Sequence, residues 1–265
     1  MLKVNGIRKI FNRGTVNENV ALKGVDLELR TGDFVTIIGS NGAGKSTLLN
    51  SIAGSFRIDA GNIQVDDKDV TNMPDYKRAG LIGRVFQDPL QGTAATMSIE
   101  ENLAMAAARG KKRGLGIGVN KERRDEFKEY LSLLGLGLED RLTDKVGLLS
   151  GGQRQSLTLL MATIAKPKVL LLDEHTAALD PKTAQQVIDL TKSIVVKHSL
   201  TVLMVTHDLN QALNLGNRTI MMDNGEIVLD IKNPERKHLT VDDLLDKFAQ
   251  AKGEELMNDR ILLAQ

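Results

Sequence analysis

The sequence predicts an α/β fold, and three observations predict it. Phe34-Val35-Thr36-Ile37-Ile38 is a continuous apolar run that leads into a glycine-rich loop and then a helix-like segment. Val169-Leu170-Leu171-Leu172 is a second such run, and it ends in two acids. Between them, residues of about 91–150 offer no good strand candidate. Short continuous apolar runs suit strands covered on both faces, as parallel sheets require.

Taken in order, residues 1–38 alternate apolar and polar positions, with turns at Asn12-Arg13-Gly14 and Thr31-Gly32-Asp33, and read as short antiparallel strands. Ser46 to Ala53 reads as a helix with Gly54 as its terminator. Gly61-Asn62-Ile63-Gln64-Val65-Asp66 reads as a further strand of the first sheet. Ser98 and Glu101 stand at capping-box spacing, with the helix continuing from Asn102 to Ala108. Residues 109–124 are rich in Gly, Arg and Lys and read as a loop; Asp125 to Leu134 returns to helical spacing. The section 91–150 is therefore expected to be an all-helical insertion. Beyond it come a helix over roughly 153–165, the strand at 169–172, a helix over about 182–197 and a strand at Thr201–Val205. Asp208 is a candidate helix cap, and Asn224-Gly225 between Thr219–Asp223 and Glu226–Asp230 reads as a hairpin turn. The tail from 240 reads as helical.

A chain of 265 residues can bury a sizeable core without covalent staples. A net charge of +1 gives no support to a nucleic-acid partner, and none is expected. The absence of cysteine excludes disulfide and thiolate chemistry. No stretch approaches the roughly 18 apolar residues of a spanning helix. The N-terminus also lacks the apolar core of a signal peptide. The chain is expected to stay in the cytosol, with any bilayer span supplied by another polypeptide.

Gly39-Ser40-Asn41-Gly42-Ala43-Gly44-Lys45-Ser46 has the spacing of a phosphate-binding loop, between an apolar strand and a helix. Glycine lets the backbone wrap an anion in conformations that a Cβ opposes, and the helix N-terminus adds its positive end. Lys45 is placed to reach the terminal phosphates, and Ser46 to ligate Mg²⁺. Asp173 and Glu174 end the second apolar strand, where open α/β sheets bind ligands. Asp173 suits Mg²⁺ through water, and Glu174 suits polarising an attacking water. His207, after the strand at 201–205, is a further candidate at a strand end.

Leu149-Ser150-Gly151-Gly152-Gln153-Arg154-Gln155 resembles the signature motif of the ABC (ATP-binding cassette) ATPases, and the motifs stand in that family's order. The resemblance covers nearly the whole chain. It implies a P-loop NTPase (RecA-like) core with an antiparallel β subdomain and an all-helical insertion subdomain. Residues 1–90 and 151–239 would form the core with its β subdomain, 91–150 the helical subdomain, and 240–265 a helical tail. It also implies that Gln87, in Arg84-Val85-Phe86-Gln87-Asp88, is the Q-loop glutamine, near Mg²⁺ and the water. Ala178-Leu179-Asp180 is similar to the D-loop, and Phe11 matches the aromatic that stacks on adenine. His175 departs from the pattern, since many members have proline after the catalytic acid.

By the same resemblance the ligands are ATP and Mg²⁺. The phosphates would meet Gly39 to Ser46 and Thr47. Ser150, Gly151, Gly152 and Gln153 would meet the nucleotide of a second ATPase subunit in a homodimer. Catalysis would fall to Glu174, His207, Gln87 and Lys45, and metal binding to Ser46, Gln87 and Asp173. Further implied partners are transmembrane permease subunits and, indirectly, an extracytoplasmic substrate-binding protein. The site of action would be the cytoplasmic face of the membrane, and the work import of a small organic solute, with aromatic amino acids as one class. An ABC ATPase without a transport role, acting in membrane or cell-wall remodelling or lipoprotein release, is the alternative. Arg109, Lys111, Lys112, Arg113, Lys121, Arg123 and Arg124 form a basic stretch, readable as a solvated loop or as a face near anionic headgroups.

Overall fold

The computed structural model describes residues 1–111 and 118–252. Its elements, in chain order, are β1 (Leu2–Phe11), β2 (Asn19–Leu29), β3 (Phe34–Ile38), α1 (Lys45–Ala53), β4 (Ala60–Val65), β5 (Lys68–Asp69), α2 (Asp75–Arg78), β6 (Ile82–Val85), α3 (Ile99–Ala107), α4 (Lys121–Ser132), α5 (Gly151–Thr163), β7 (Val169–Asp173), α6 (Pro181–His198), β8 (Thr201–Val205), α7 (Leu209–Asn214), β9 (Arg218–Asp223), β10 (Glu226–Lys232) and α8 (Val241–Lys252). They divide into two compact units, one of Met1–Asp75 with the chain from Leu200 onward, the other Tyr76–Ser199. Among the described residues no helix is long and apolar enough to cross a membrane.

The first unit carries an antiparallel sheet in the order β2-β1-β4-β5. Leu2, Val4 and Ile7 of β1 and Leu22, Val25, Leu27 and Leu29 of β2 are all buried. Period-two alternation puts such residues on one face. These strands run to ten and eleven residues, longer than expected, because register shifts at Val4/Ile7, Ile7/Arg8 and Lys9/Ile10 let the pair bend without ending. In the unit's other sheet, β3 lies between β8 and β9, parallel to both. Antiparallel β10 closes that side through the hairpin at Asn224-Gly225, both at positive φ (47° and 83°). Every residue of β3 is buried. Its one polar side chain, Thr36, is satisfied at 2.9 Å by Thr219 Oγ1 and at 2.9 Å by the Ala212 carbonyl.

Helix α8 packs Leu244 and Phe248, both fully buried, against Leu209, Ala212, Met221 and Ile231. Burial of each such side chain contributes about 1.5–3 kcal/mol. The buried Arg236 guanidinium donates to the Ala212 and Leu215 carbonyls, to the Gly216 carbonyl at 2.8 Å and to Thr219 Oγ1 at 2.6 Å. It thereby satisfies the carbonyls that end α7.

The second unit pairs β6 and β7 in parallel, with Ile82 opposite Val169 and Val85 opposite Leu172. Strand β6 has no counterpart among the sequence expectations; Ile82-Gly83-Arg84-Val85 is too short and too broken by Gly and Arg to register as an apolar run. Gly83 serves packing, since a Cβ there would lie 2.4 Å from the Ala162 carbonyl on α5. A core of Ile99, Leu103, Phe127, Leu131, Val146 and Leu157 joins α3, α4 and α5. The expected Ser98–Glu101 capping box forms, and the structure adds a second, Ser150 with Gln153.

The loop expected over 109–124 is shorter than expected. Helix α4 begins at Lys121, because the Asn120 side chain accepts from Arg123 N at 2.9 Å and caps it. Much of the basic stretch is engaged within the protein. Arg124 makes a two-pronged ion pair with Glu100 at 2.6 and 2.9 Å. Arg109 donates to the Met161 carbonyl at 3.3 Å, and its burial lowers its pKa. Arg123 donates to the Gly118 carbonyl at 2.7 Å. Lys112 and Arg113, like residues 253–265 of the expected helical tail, lie outside the described residues.

Candidate functional site

In the first unit the loop from Gly39 to Ser46 follows β3 and opens α1. Gly39, Gly42 and Gly44 have φ of 146°, 82° and 97°. Only glycine takes such values without strain. A Cβ on Gly39 would sit 2.1 Å from the Met222 carbonyl, and one on Gly44 2.7 Å from the Ala21 carbonyl. The loop is thus pressed against β9 and β2. Gly44 is the N-cap of α1 and brings no side-chain cap. The Lys45 side chain is 7% exposed and folds back, with Nζ donating to the Gly39 carbonyl at 2.7 Å and the Ser40 carbonyl at 3.0 Å. Its charge therefore stands inside the loop. Ser46 is exposed, Thr47 and Ser40 half-buried, Asn41 exposed and Ala43 buried.

A support that sequence reasoning missed is the β9–β10 turn. Gly225 N donates to the Ala43 carbonyl at 3.1 Å, and the Gly225 carbonyl accepts from Lys23 N at 3.0 Å. Ser40 Oγ reaches Asp223 at 3.4 Å. The sequence signals the turn through Asn224-Gly225 but not what the turn touches.

His207 belongs to the same unit. Ile37 and Val205 are register partners, so Gly39 and His207 each stand two residues beyond a paired couple. The Thr206 amide donates to the Ile37 carbonyl at 3.1 Å, extending that pairing by one step. His207 is exposed, and Asp208 after it caps α7 through the Gln211 amide at 3.1 Å. Phe11, half-buried at the end of β1, meets Phe56 edge-to-face at 5.4 Å between ring centres. Lys9 Nζ lies 5.3 Å from the Phe11 ring and 5.2 Å from the Phe56 ring. Phe56 and Lys9 did not stand out in the sequence, because they come from different segments.

In the second unit the same geometry recurs. Val85 and Leu172 are register partners, so Gln87 and Glu174 each stand two residues beyond the last paired couple. Gln87 is exposed, and Asp173 and Glu174 are half-buried. Asp173 accepts from Arg84 Nη2 at 3.1 Å, and the Arg84 guanidinium lies 4.3 Å from the Phe86 ring centre. Glu174 adopts a left-handed backbone, φ 43°, uncommon for a residue with a Cβ. His175 points the other way from solvent: it is 1% exposed, its Nε2 is 3.2 Å from Thr191 Oγ1, and burial pushes its pKa down to about 4. The two histidines near the strand ends are therefore distinct in kind, one exposed and one buried.

Ser150 caps α5 and is exposed, as is Gly151; Gly152 and Gln153 are half-buried. A Cβ on Gly152 would lie 2.1 Å from Thr183 Cγ2 at the start of α6. Asp180 caps α6 by accepting from the Thr183 amide at 3.1 Å, and the Thr183 side chain, followed by that amide, lowers its pKa.

These features fit a nucleoside triphosphate and its hard divalent cation. The glycine cradle admits no Cβ at Gly39 or Gly44. A buried ammonium stands in the loop, and hydroxyl and carboxylate oxygens are the donors that Mg²⁺ prefers. The comparisons agree. The family model described as ABC transporter matches residues 22–177. The tyrosine transport ATP-binding protein of Clostridioides difficile (strain R20291) is 46% identical over 95% of this chain and 100% of its own length. An aliphatic sulfonates import ATP-binding protein of Agrobacterium fabrum (strain C58) is 37% identical over 79% of this chain and 73% of its own. A dimeric ATP-binding cassette in a post-hydrolysis state bound to ADP and Pi superposes with a TM-score of 0.75 at 31% identity, over 88% of this chain and 98% of that one. An ABC transporter cassette in its ADP conformation gives 0.76 at 28%, over 94% and 98%. With a phosphate loop, an acid-tipped strand and a capped signature helix now placed in the fold, the chain belongs to the ABC transporter family as an ATP-binding, ATP-hydrolysing subunit that uses Mg²⁺.

Proposed function

We propose that this chain works as one of two identical ATPase subunits on the cytoplasmic face of a membrane, driving import of a small organic solute through separate permease subunits. Tyrosine or a related aromatic amino acid is the solute class, delivered by an extracytoplasmic binding protein. The observation that carries the solute class is the 46% identity, end to end, with the tyrosine transport ATP-binding protein.

In this reading Gly39 to Thr47 hold the triphosphate, with Lys45 on its terminal phosphates. Ser46, Gln87 and Asp173 are the residues that would ligate Mg²⁺, and Phe11 the ring that would stack on adenine. Ser150, Gly151, Gly152 and Gln153 grip the nucleotide of the opposite subunit. Reciprocal half-sites are what a two-fold interface provides. Glu174 orients and polarises the water that attacks the γ-phosphorus as the bond to ADP breaks, and His207 stabilises the γ-phosphate charge. Such catalysis is positioning and charge stabilisation rather than covalent chemistry.

The test is uptake of labelled tyrosine by cells lacking the gene, complemented by the parent chain or by Glu174→Gln. Restored uptake with the parent and none with the variant is the expected result. Uptake unchanged by the deletion would remove tyrosine as the solute. A chain that never co-purifies with a polytopic membrane protein would remove the permease partnership.

A further inference from the structure

Beyond Val85 and Leu172 the β6–β7 pairing ends, yet the two candidate residues that follow, Gln87 and Glu174, need a defined spacing if both address one water. The structure supplies a bond across this gap. Gln155, on α5, is fully buried. Its Nε2 donates to the Phe86 carbonyl at 3.2 Å and to the His175 carbonyl at 2.7 Å. One amide nitrogen thus uses both of its N–H groups, one on the residue before Gln87 and the other on the residue after Glu174.

The backbone at Glu174 makes this bond consequential. A left-handed φ of 43° at a residue with a Cβ persists only where its surroundings hold it. The Ala177 amide holds the turn from one side, donating to the Glu174 carbonyl at 3.0 Å. Gln155 holds it from the other. Gln155 lies five residues after Ser150, the N-cap of the 13-residue helix α5, so the clamp and the signature serine belong to one helix.

We propose that Gln155 is a positioning residue for ATP hydrolysis: its side-chain amide sets the spacing of Gln87 and Glu174 and ties both to the signature helix. The proposal rests on the assignment of Glu174 and Gln87 given above. It differs from the role of an ordinary buried glutamine in one respect. Loss of the clamp should slow the chemical step while leaving nucleotide binding in place, because neither Phe86 nor His175 belongs to the phosphate loop.

The test uses the full chain with Gln155→Met, which keeps length and packing but removes both donors. Steady-state hydrolysis, fluorescent-ATP affinity and stoichiometry, and thermal unfolding are measured together. The expected result is a kcat, per nucleotide-binding site, at least about tenfold lower, with KM and affinity within about twofold of the parent. A kcat within about twofold of the parent overturns the proposal, as does a loss explained by fewer binding sites or matched by weaker ATP binding. If Gln155→Met does not fold, Gln155→Glu provides the same test. Its carboxylate has the same shape and cannot donate to two carbonyls. Glu174→Gln, measured alone, separates the two assignments. Its hydrolysis at the parent rate removes Glu174 as the base, whereas a parent-like Gln155→Met beside an inactive Glu174→Gln removes only the clamp.

Discussion

Two substitutions in the phosphate loop separate backbone strain from steric clash. Gly42 has φ 82° and nothing within 4 Å of an added Cβ. Gly42→Ala should therefore cost only the left-handed strain, about 1–2 kcal/mol. Gly39 has φ 146°, and its added Cβ would lie 2.1 Å from the Met222 carbonyl. That oxygen belongs to β9, which is paired on one side to β3 and on the other to β10, so it cannot swing away as a side chain would. Strain of about 1–3 kcal/mol then adds to an overpacking cost of about 1–3 kcal/mol. Gly39→Ala should thus be the more destabilised by about 2 kcal/mol, a large share of a typical net stability. Urea unfolding without nucleotide measures the difference directly, because neither variant's stability then depends on ligand affinity. Equal midpoints for the two variants, or a Gly39→Ala variant as stable as the parent, would refute the steric argument.

Three further outcomes are expected. His175 is neutral in the folded chain with a pKa near 4, whereas the unfolded chain takes up its proton below 6.5. Its contribution is thus fully present above 6.5 and is lost as pH falls toward 4, by at most about 1.4 kcal/mol per pH unit. Unfolding at several pH values should show a shallower decline in His175→Gln, and equal slopes would contradict it. Gly152→Ala should destabilise the second unit, and adding Thr183→Ser should restore it, since the hydroxyl would stay 3.8 Å from the new Cβ while the clashing methyl is gone. An absence of rescue in a thermal scan would place the cost elsewhere. Lys45→Ala removes the ammonium inside the loop and should weaken ATP binding roughly tenfold to a hundredfold, the value of a charge-assisted hydrogen bond or two; titration with a fluorescent nucleotide checks it.

Much of the architecture was legible because local chemistry and tertiary demand agreed. The runs at 34–38 and 169–172 became buried strands, and Ser98 and Asp208 became caps, because an apolar run or a cap carries its instruction within a few residues. The start of α4 was misread, because a Gly- and Lys-rich stretch masked the single cap Asn120. Strand β6 was missed because its place comes from pairing with β7 and from the contact between Gly83 and α5.

The sequence alone determined the chemistry on offer: a glycine cradle, a lysine, two acids at a strand end and a signature serine, each set by residue type and short spacing. Tertiary structure decided the rest, because it depends on segments far apart in the chain meeting in space. Only the fold places the Gly225 amide beneath the phosphate loop, Phe56 beside Phe11, and the Gln155 amide on the carbonyls of Phe86 and His175. Only the fold, too, gives the two strand-end histidines, one in each unit, opposite environments. His175 is closed off from water under α6, while His207 stays open to it, because each strand end meets different packing.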